Sequence, residues 1–423
     1  MNTVPQESKA LAEHFFRQEY AKMVAVITRY FGLDKVNMAE DIVQDTLVEA
    51  ISNWEFKGIP ENPEAWLYTV AKNKALNLLK REQYQQTYAQ QLKTMDQSSV
   101  ESIFSEEQIA DDQLRMMFAF CHPAISQESQ VSLILKTLCG LSIGEIASAF
   151  LTSNETINKR LVRARKALKE KEVSFDLPDS TDLQGRLDTV LKTIFLLFNE
   201  GYSASRGNRL IKYELCLEAI RLTELVSNHK DFTKYSGPNA LLSLMLLNAS
   251  RFEARVDQQG NFVRMVHQDR SLWNQQLISR GLWHLQKINE SEEIGLYHIL
   301  AAISAYHCTA PSYEATDWPA ILKMYDALSS FDKSPLVQLN RAIALARVEG
   351  PEAAIKVLLA LEKELPPSYY LFHSTLADLY IETADYQQAL VRLEQALKHA
   401  EVNSEVEIIR KRIAICQEKL WSK

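Results

Sequence analysis

The stretch "TSNETINKRLVRARKALKE" gathers amides and cations at helical spacing. Asn154, Glu155, Asn158 and Lys159 stand near its start, and Arg160, Arg163, Arg165, Lys166 and Lys169 follow. Amide and cationic groups at a helix N-terminus suit base edges in a major groove, and cations further along suit phosphates. Just upstream, Ser142-Ile143-Gly144-Glu145 has the pattern of a capping box, and Thr152-Ser153-Asn154-Glu155 has it again. Ile143, Ile146, Ala147 and Phe150 form one apolar stripe, and Ile157, Leu161, Ala164 and Leu168 form a second. Two capped amphipathic helices joined by a short turn match a helix-turn-helix. The plainer alternative is a solvated basic helix in a bundle.

A second group lies nearer the start. "ENPEAWLYTVAKNKALNLLKRE" opens with Asn62 as a cap and Pro63 at the first helical position. Its pattern buries Leu67, Val70, Ala71 and Leu78, and presents Lys72, Asn73, Lys74, Asn77, Lys80 and Arg81 with no acid before Glu82. Trp54, Phe56, Trp66 and Tyr68 lie close by in sequence. Cations for the backbone and flat faces for unstacked bases are what single-stranded DNA requires, although core packing explains aromatics equally well, Trp66 above all. Before them, "NMAEDIVQDTLVEAISNW" carries a stripe of Ala39, Ile42, Val43, Thr46, Leu47, Ala50, Ile51 and Trp54. The other side shows Asp41, Gln44, Asp45 and Glu49, an acidic face for a basic partner.

These groups must be positioned by helices. The chain has 423 residues, 46% of them hydrophobic, with only 12 Gly and 12 Pro, and β-branched alternating segments are absent. An all-α fold of several domains is expected. The net charge of −7 excludes a chain coated in nucleic acid, so any DNA contact is local. Five scattered cysteines without a C-x-x-C pair suggest neither disulfides nor zinc. With no secretory signal and no membrane-length apolar run, a cytoplasmic location and no membrane partner are expected. Toward the C-terminus, "NRAIALARVEGPEAAIKVLLALEKE" aligns with "LADLYIETADYQQALVRLEQALKHA", matching Ala342 to Ala377, Ala354 to Ala389, Leu358 to Leu393 and Leu361 to Ala396. That period is the tetratricopeptide one, with small residues letting paired helices pack closely.

Enzyme signatures are weak. "GYSAS" at Gly201 lacks the second glycine and the strand of a nucleophile elbow, and no phosphate or dinucleotide fingerprint occurs. His267 with Asp269, or His298 and His307 with Cys308, lack the spacing of a metal set, and capping or core roles suit them better. Neither a cofactor nor a metal is expected. "HQDRSLWNQQLISRGLW" mixes charge with tryptophan and reads either as a ligand or domain contact or, more simply, as a helix capped by Asp269.

In order and spacing, "AEDIVQDTLVEAISNW", "PEAWLYTVAKNKALNLLKRE" and "GLSIGEIASAFLTSNETINKRLVRARKAL" resemble the bacterial sigma factors of the extracytoplasmic-function group. "FAFCHPAIS", "LLFNEGYSAS", "HQDRSLWN", "ATDW" and "SPLVQLNRAIALARVEGP" are similar to a subgroup with a long C-terminal helical-repeat extension. The resemblance implies sigma domain 2 over 7–92, a linker over 93–110, sigma domain 4 over 111–174, and a tetratricopeptide-like, regulatory extension over 175–423. It assigns Asp41, Gln44, Asp45 and Glu49 to the clamp helices of core RNA polymerase. Lys57, Asn62, Lys72, Asn73, Lys80 and Arg81 fall to the −10 promoter element. Asn154, Glu155, Asn158, Lys159, Arg160, Arg163 and Arg165 fall to the −35 element. It further implies that the extension contacts the sigma domains or a regulatory protein. Leu151 stands where many helix-turn-helix units carry glycine. A helix-turn-helix regulator with a helical-repeat binding domain is the alternative.

Overall fold

Capping chemistry sets where the helices begin and end. The computed structural model describes residues 6–81, 104–150, 152–178, 180–202, 213–258, 263–288, 294–365, 369–400 and 403–421. It is 80% helical, with no strand among the described residues. Leu151 and Ser203–Ser205 of the "GYSAS" stretch lie outside them. By internal contacts the chain divides into two units, Met1–Leu197 and Phe198–Lys423.

In the first unit, α1 (Gln6–Phe31) ends at Gly32, whose φ of 90° suits a residue without a Cβ. A short 3₁₀ turn leads into α2 (Val36–Lys57), which buries Ala39, Ile42, Val43, Thr46 and Ala50. Gly58 stops it, with φ 81° and its N–H donated to the Trp54 carbonyl at 3.0 Å. Ile51, expected in the stripe, is exposed. Helix α3 (Pro63–Arg81) starts where the Asn62 side chain accepts the Ala65 N–H at 3.0 Å.

Helix α4 (Glu106–Phe120) begins inside the stretch expected as linker, because Ser105 caps it and Glu106 and Glu107 meet the positive end of its dipole. Helix α5 (Gln127–Leu133) runs into one π turn and then into Gly140. There φ is 64°, and a Cβ would lie 2.8 Å from Arg17 Cγ. Helices α6 (Ile143–Ala149) and α7 (Asn154–Glu170) follow.

Helix α1 serves both groups. It packs on α2 and α3 on one side and on α4 and the π turn on the other, burying Met23, Val24, Ala25 and Val26. Three polar links accompany this packing. Arg29 reaches Asp112 at 3.2 Å, Arg17 reaches Glu145 at 2.5 Å, and Glu40 accepts from Thr137 Oγ1 at 2.9 Å and from Arg165 Nη2 at 2.6 Å. Glu40 is only 5% exposed. Helix α8 (Ser180–Tyr202) joins the same unit through Arg186, which donates to the Phe118 carbonyl, and Thr193, which donates to Gln130. The division between the two units by internal contacts falls within α8.

The second unit is built on α10 (Gly237–Ala249), whose run of Leu, Met and Ala is buried nearly all round by α9 (Tyr213–Asn228), α11 (Gln275–Ile288) and α12 (Leu296–Thr309). Gly281 lets α11 approach: a Cβ there would stand 2.8 Å from Leu247 Cγ. After α13 (Trp318–Leu328) come the pairs α14 (Pro335–Glu349) with α15 (Pro351–Leu361), and α16 (Tyr370–Glu382) with α17 (Tyr386–His399). Helix α18 (Asn403–Trp421) covers the last pair. Ala342, Ala354 and Leu358 sit in one core cluster, and Ala377, Ala389, Leu393 and Ala396 in the next, so the repeat alignment corresponds to burial. Leu361 is only partly buried.

Two stability predictions follow from the first unit. Glu40→Ala leaves Arg165 without its carboxylate and costs about 3 kcal/mol, the low end for a partly buried pair. The double change Glu40→Met with Arg165→Met recovers most of that in urea unfolding. Burial raises the Asp112 carboxyl from 3.8 to about 7, against the opposing pull of Arg29 and a hydrogen bond from Gln108. Native protein therefore holds a proton that the unfolded chain releases above its own lower value, and this contribution to stability fades as pH climbs from about 4 to about 7. The stability of wild type minus that of Asp112→Asn should fall across that window. A flat difference in melts between pH 4 and 8 would remove the assignment.

Candidate nucleic-acid interface

Helices α6 and α7 meet as the sequence pattern requires. Ser142 accepts the Glu145 N–H at 3.1 Å while Glu145 accepts the Ser142 N–H at 2.7 Å, a complete capping box. These bonds and Arg17 hold the Glu145 carboxyl below the usual range, although burial pulls the other way. The second box is not formed as expected. Ser153 is the cap and accepts the Thr156 N–H at 3.1 Å, and the Thr156 hydroxyl lies 2.9 Å from the same oxygen. Glu155 instead pairs with Lys159 at 2.7 Å along the surface. Ile157, Leu161, Ala164 and Leu168 are all buried, so α7 has one fixed orientation.

That orientation decides which cations are available. Asn154, Glu155, Asn158, Lys159 and Arg163 are exposed, and Arg160 is half-buried. Glu155, Asn158, Lys159, Val162 and Arg163 line a shallow depression on the outer face. Arg160 and Arg163 form no ion pair among the described residues, so their charge is uncommitted. Arg165 differs from its neighbours. It points into the unit onto Glu40, because it flanks the buried Ala164 and Leu168.

On α3 the division is similar. Asn73 is exposed, and so are Lys57 and Asn62 in the preceding loop and its flanks. Lys72 is 7% exposed and lies on the inner side beside Ala71 and Ala75. Lys80 and Arg81 close the helix, and their side chains lie outside the described residues. Of the aromatics, Trp54 stacks on Phe16 at 5.7 Å and meets Trp66 edge-on at 5.6 Å. Tyr68 is buried and donates to Glu19 at 2.6 Å. Phe56, at 86% exposure, and Ile59 nearby in sequence face solvent.

The acidic face of α2 is outward. Asp41, Gln44 and Asp45 are exposed, and Glu49 is half-buried in a 3.0 Å pair with Lys74. Asp41 and Asp45 stand one turn apart, where like charges cost a helix about 0.2–0.5 kcal/mol, a cost that a basic partner would reverse. Glu40 belongs to the same run of acids, yet it is the one turned inward; its place between Ala39 and Val43 was the available sign. Histidines and acids of the extension hold no metal-like group among the described residues. His298 accepts the Gly295 N–H at 3.0 Å, and Asp269 accepts the Ser271 N–H at 2.9 Å, both as helix caps. No helix among the described residues is long and apolar enough to cross a membrane.

Residues 15–84 match the model for Sigma-70 region 2, and residues 115–168 match that for Sigma-70 region 4. Residues 186–289 match a family of unknown function, DUF6596. An uncharacterized protein of Rhizobium meliloti (strain 1021) is 34% identical over 391 residues, covering 92% of this chain and 91% of its own length. No solved structure matches the chain. With region 2 carrying the exposed acidic face, region 4 the capped basic helix, and a helical extension behind them, the chain belongs to the sigma-70 family, in the layout of its extracytoplasmic-function group with a C-terminal extension.

Proposed function

We propose that the chain is the promoter-recognition subunit of an RNA polymerase, of the extracytoplasmic-function type. Asp41, Gln44, Asp45 and Glu49 dock on the clamp helices of the core enzyme. Phe56 and the loop that follows, with Asn62 and Asn73, receive unpaired bases of the −10 element. The N-terminal end of α7 enters the major groove of the −35 element through Asn154, Asn158 and Lys159, with Arg160 and Arg163 on phosphates. The carrying observation is that one folded unit exposes an acidic docking face and, separately, the uncommitted Arg160 and Arg163 end of a recognition helix. Because the whole chain is acidic, polymerase supplies most of the hold on DNA, through linked contacts that raise effective concentration. The extension modulates this activity through the sigma modules or a regulatory protein.

Reconstituted transcription with core polymerase tests the reading, since a promoter-recognition subunit makes initiation depend on its presence. Lys159→Ala should lower promoter-specific transcript about tenfold, the worth of one good groove contact, and Arg163→Ala should weaken it as the loss of a phosphate contact does, with less regard to sequence. Both side chains are exposed, so melting should not change. Equal transcript from the variants would remove the recognition-helix assignment. Asp45→Lys should abolish co-elution with core polymerase in gel filtration, and an undiminished complex would move the docking face elsewhere.

A further inference from the structure

In the extension, Arg251 and Arg270 make no ion pair among the described residues, and the exposed Glu314 acts on Arg270 only at longer range. Arg251, just past α10, is 8% exposed. It donates to the Tyr202 hydroxyl at 2.7 Å and to Asn248 Oδ1 at 3.0 Å, both neutral. Arg270 donates to the carbonyls of His307 and Ala310 at 2.7 and 2.6 Å, again neutral acceptors. Both guanidiniums lie against one indole, that of Trp273, with the Arg251 and Arg270 carbons 5.8 and 4.5 Å from its centroid. A third guanidinium, Arg255, stands over the Tyr202 ring at 3.6 Å.

Unpartnered polar atoms lie on the same residues and on His307, whose carbonyl Arg270 holds. Arg270 Nη2, Trp273 Nε1 and His307 Nδ1 are buried with no hydrogen-bond partner in the protein. Trp273 itself is 3% exposed. Each such orphan costs about 1–3 kcal/mol, and the buried Arg251 guanidinium, which meets only neutral acceptors, costs several more. The cation–π contacts return only part of this. The local potential is positive enough to register on a neighbour: burial first, then Arg251 and Arg270, hold the His307 imidazole down to about 3. A cation is excluded by that field. An acceptor-rich anion would answer the charge and the orphan N–H groups at once.

We infer that the Arg251–Arg270–Trp273 cluster of the extension is a binding site for a small oxyanion, a carboxylate or a phosphate. Arg270 Nη2 and the Trp273 N–H grip its oxygens, and Arg251, anchored by Tyr202 and Asn248, supplies the second charge. Tyr202, Asn248, Arg251, Arg270 and Trp273 all lie in the segment matched by the family of unknown function. The site is independent of the promoter-recognition reading and gives the extension a chemical input of its own.

The full chain is titrated with inorganic phosphate and, separately, with acetate, against chloride at matched ionic strength and pH. Melting temperature and tryptophan emission are followed. A saturable rise of roughly 5–10 °C is expected once the binding anion reaches about 100 times its dissociation constant. Response to phosphate alone or to acetate alone identifies the oxyanion. Arg251→Met should abolish the response while melting, without anion, no lower than wild type, because it removes an uncompensated charge. A purely structural Arg251 would give a lower melt and an intact response. Should that variant fail to fold, Trp273→Phe keeps the ring, loses the N–H and should weaken binding about tenfold. No saturable shift beyond chloride into the millimolar range, or a response untouched by these substitutions, overturns the site.

Discussion

A carboxylate taken out of water requires a cation close by, and Glu40 finds one 125 residues along the chain in Arg165. Around that pair the first unit closes. Helix α1 lies under both sigma regions, Thr137 adds a second hydrogen bond to Glu40, and the Arg29–Asp112 and Arg17–Glu145 contacts fix the flanks. The pair has consequences for both surfaces. On α2 it withdraws one acid from the outward row and leaves Asp41, Gln44 and Asp45 exposed, and on α7 it withdraws one cation and leaves Arg160 and Arg163 on the outer side.

Much of this was legible in the sequence because caps and apolar periodicity are local. The Ser142–Glu145 box, Asn62 ahead of Pro63, the α7 stripe and the 342–396 repeat depend on residues within a turn or a hairpin of each other. What escaped depends on tertiary partners. Arg165 and Lys72 border apolar stripes at three- and four-residue offsets, and only the position of a neighbouring helix decides whether such a side chain meets water or core. Likewise the expected linker hid a cap at Ser105, because its polar composition outweighed a single serine ahead of two acids. Arg186 and Thr193 of α8 likewise reach a carbonyl and an amide far off in sequence, bonds that no local pattern announces.

Charge is distributed with similar economy. A chain of net charge −7 still presents a cluster of cations on the outer face of α7 and a cluster of acids on the outer face of α2, the opposite signs that the proposed DNA and polymerase contacts call for. In the extension the arrangement is inverted. Arg251 is held inside, and Arg270 is half-buried against the same indole.

The shared helix α1 also acts as a ruler. Its 26 residues span roughly 39 Å. Promoter boxes named for −10 and −35 are separated by about 25 base pairs, or roughly 85 Å of duplex. On the proposed promoter reading, that distance is about twice the length of the helix that both regions share, so reading both boxes at once would draw the regions apart and bring Glu40 to water. On the same reading, whatever favours a parted form works against the few contacts at Glu40, Asp112 and Glu145, and the two equilibria are thermodynamically tied.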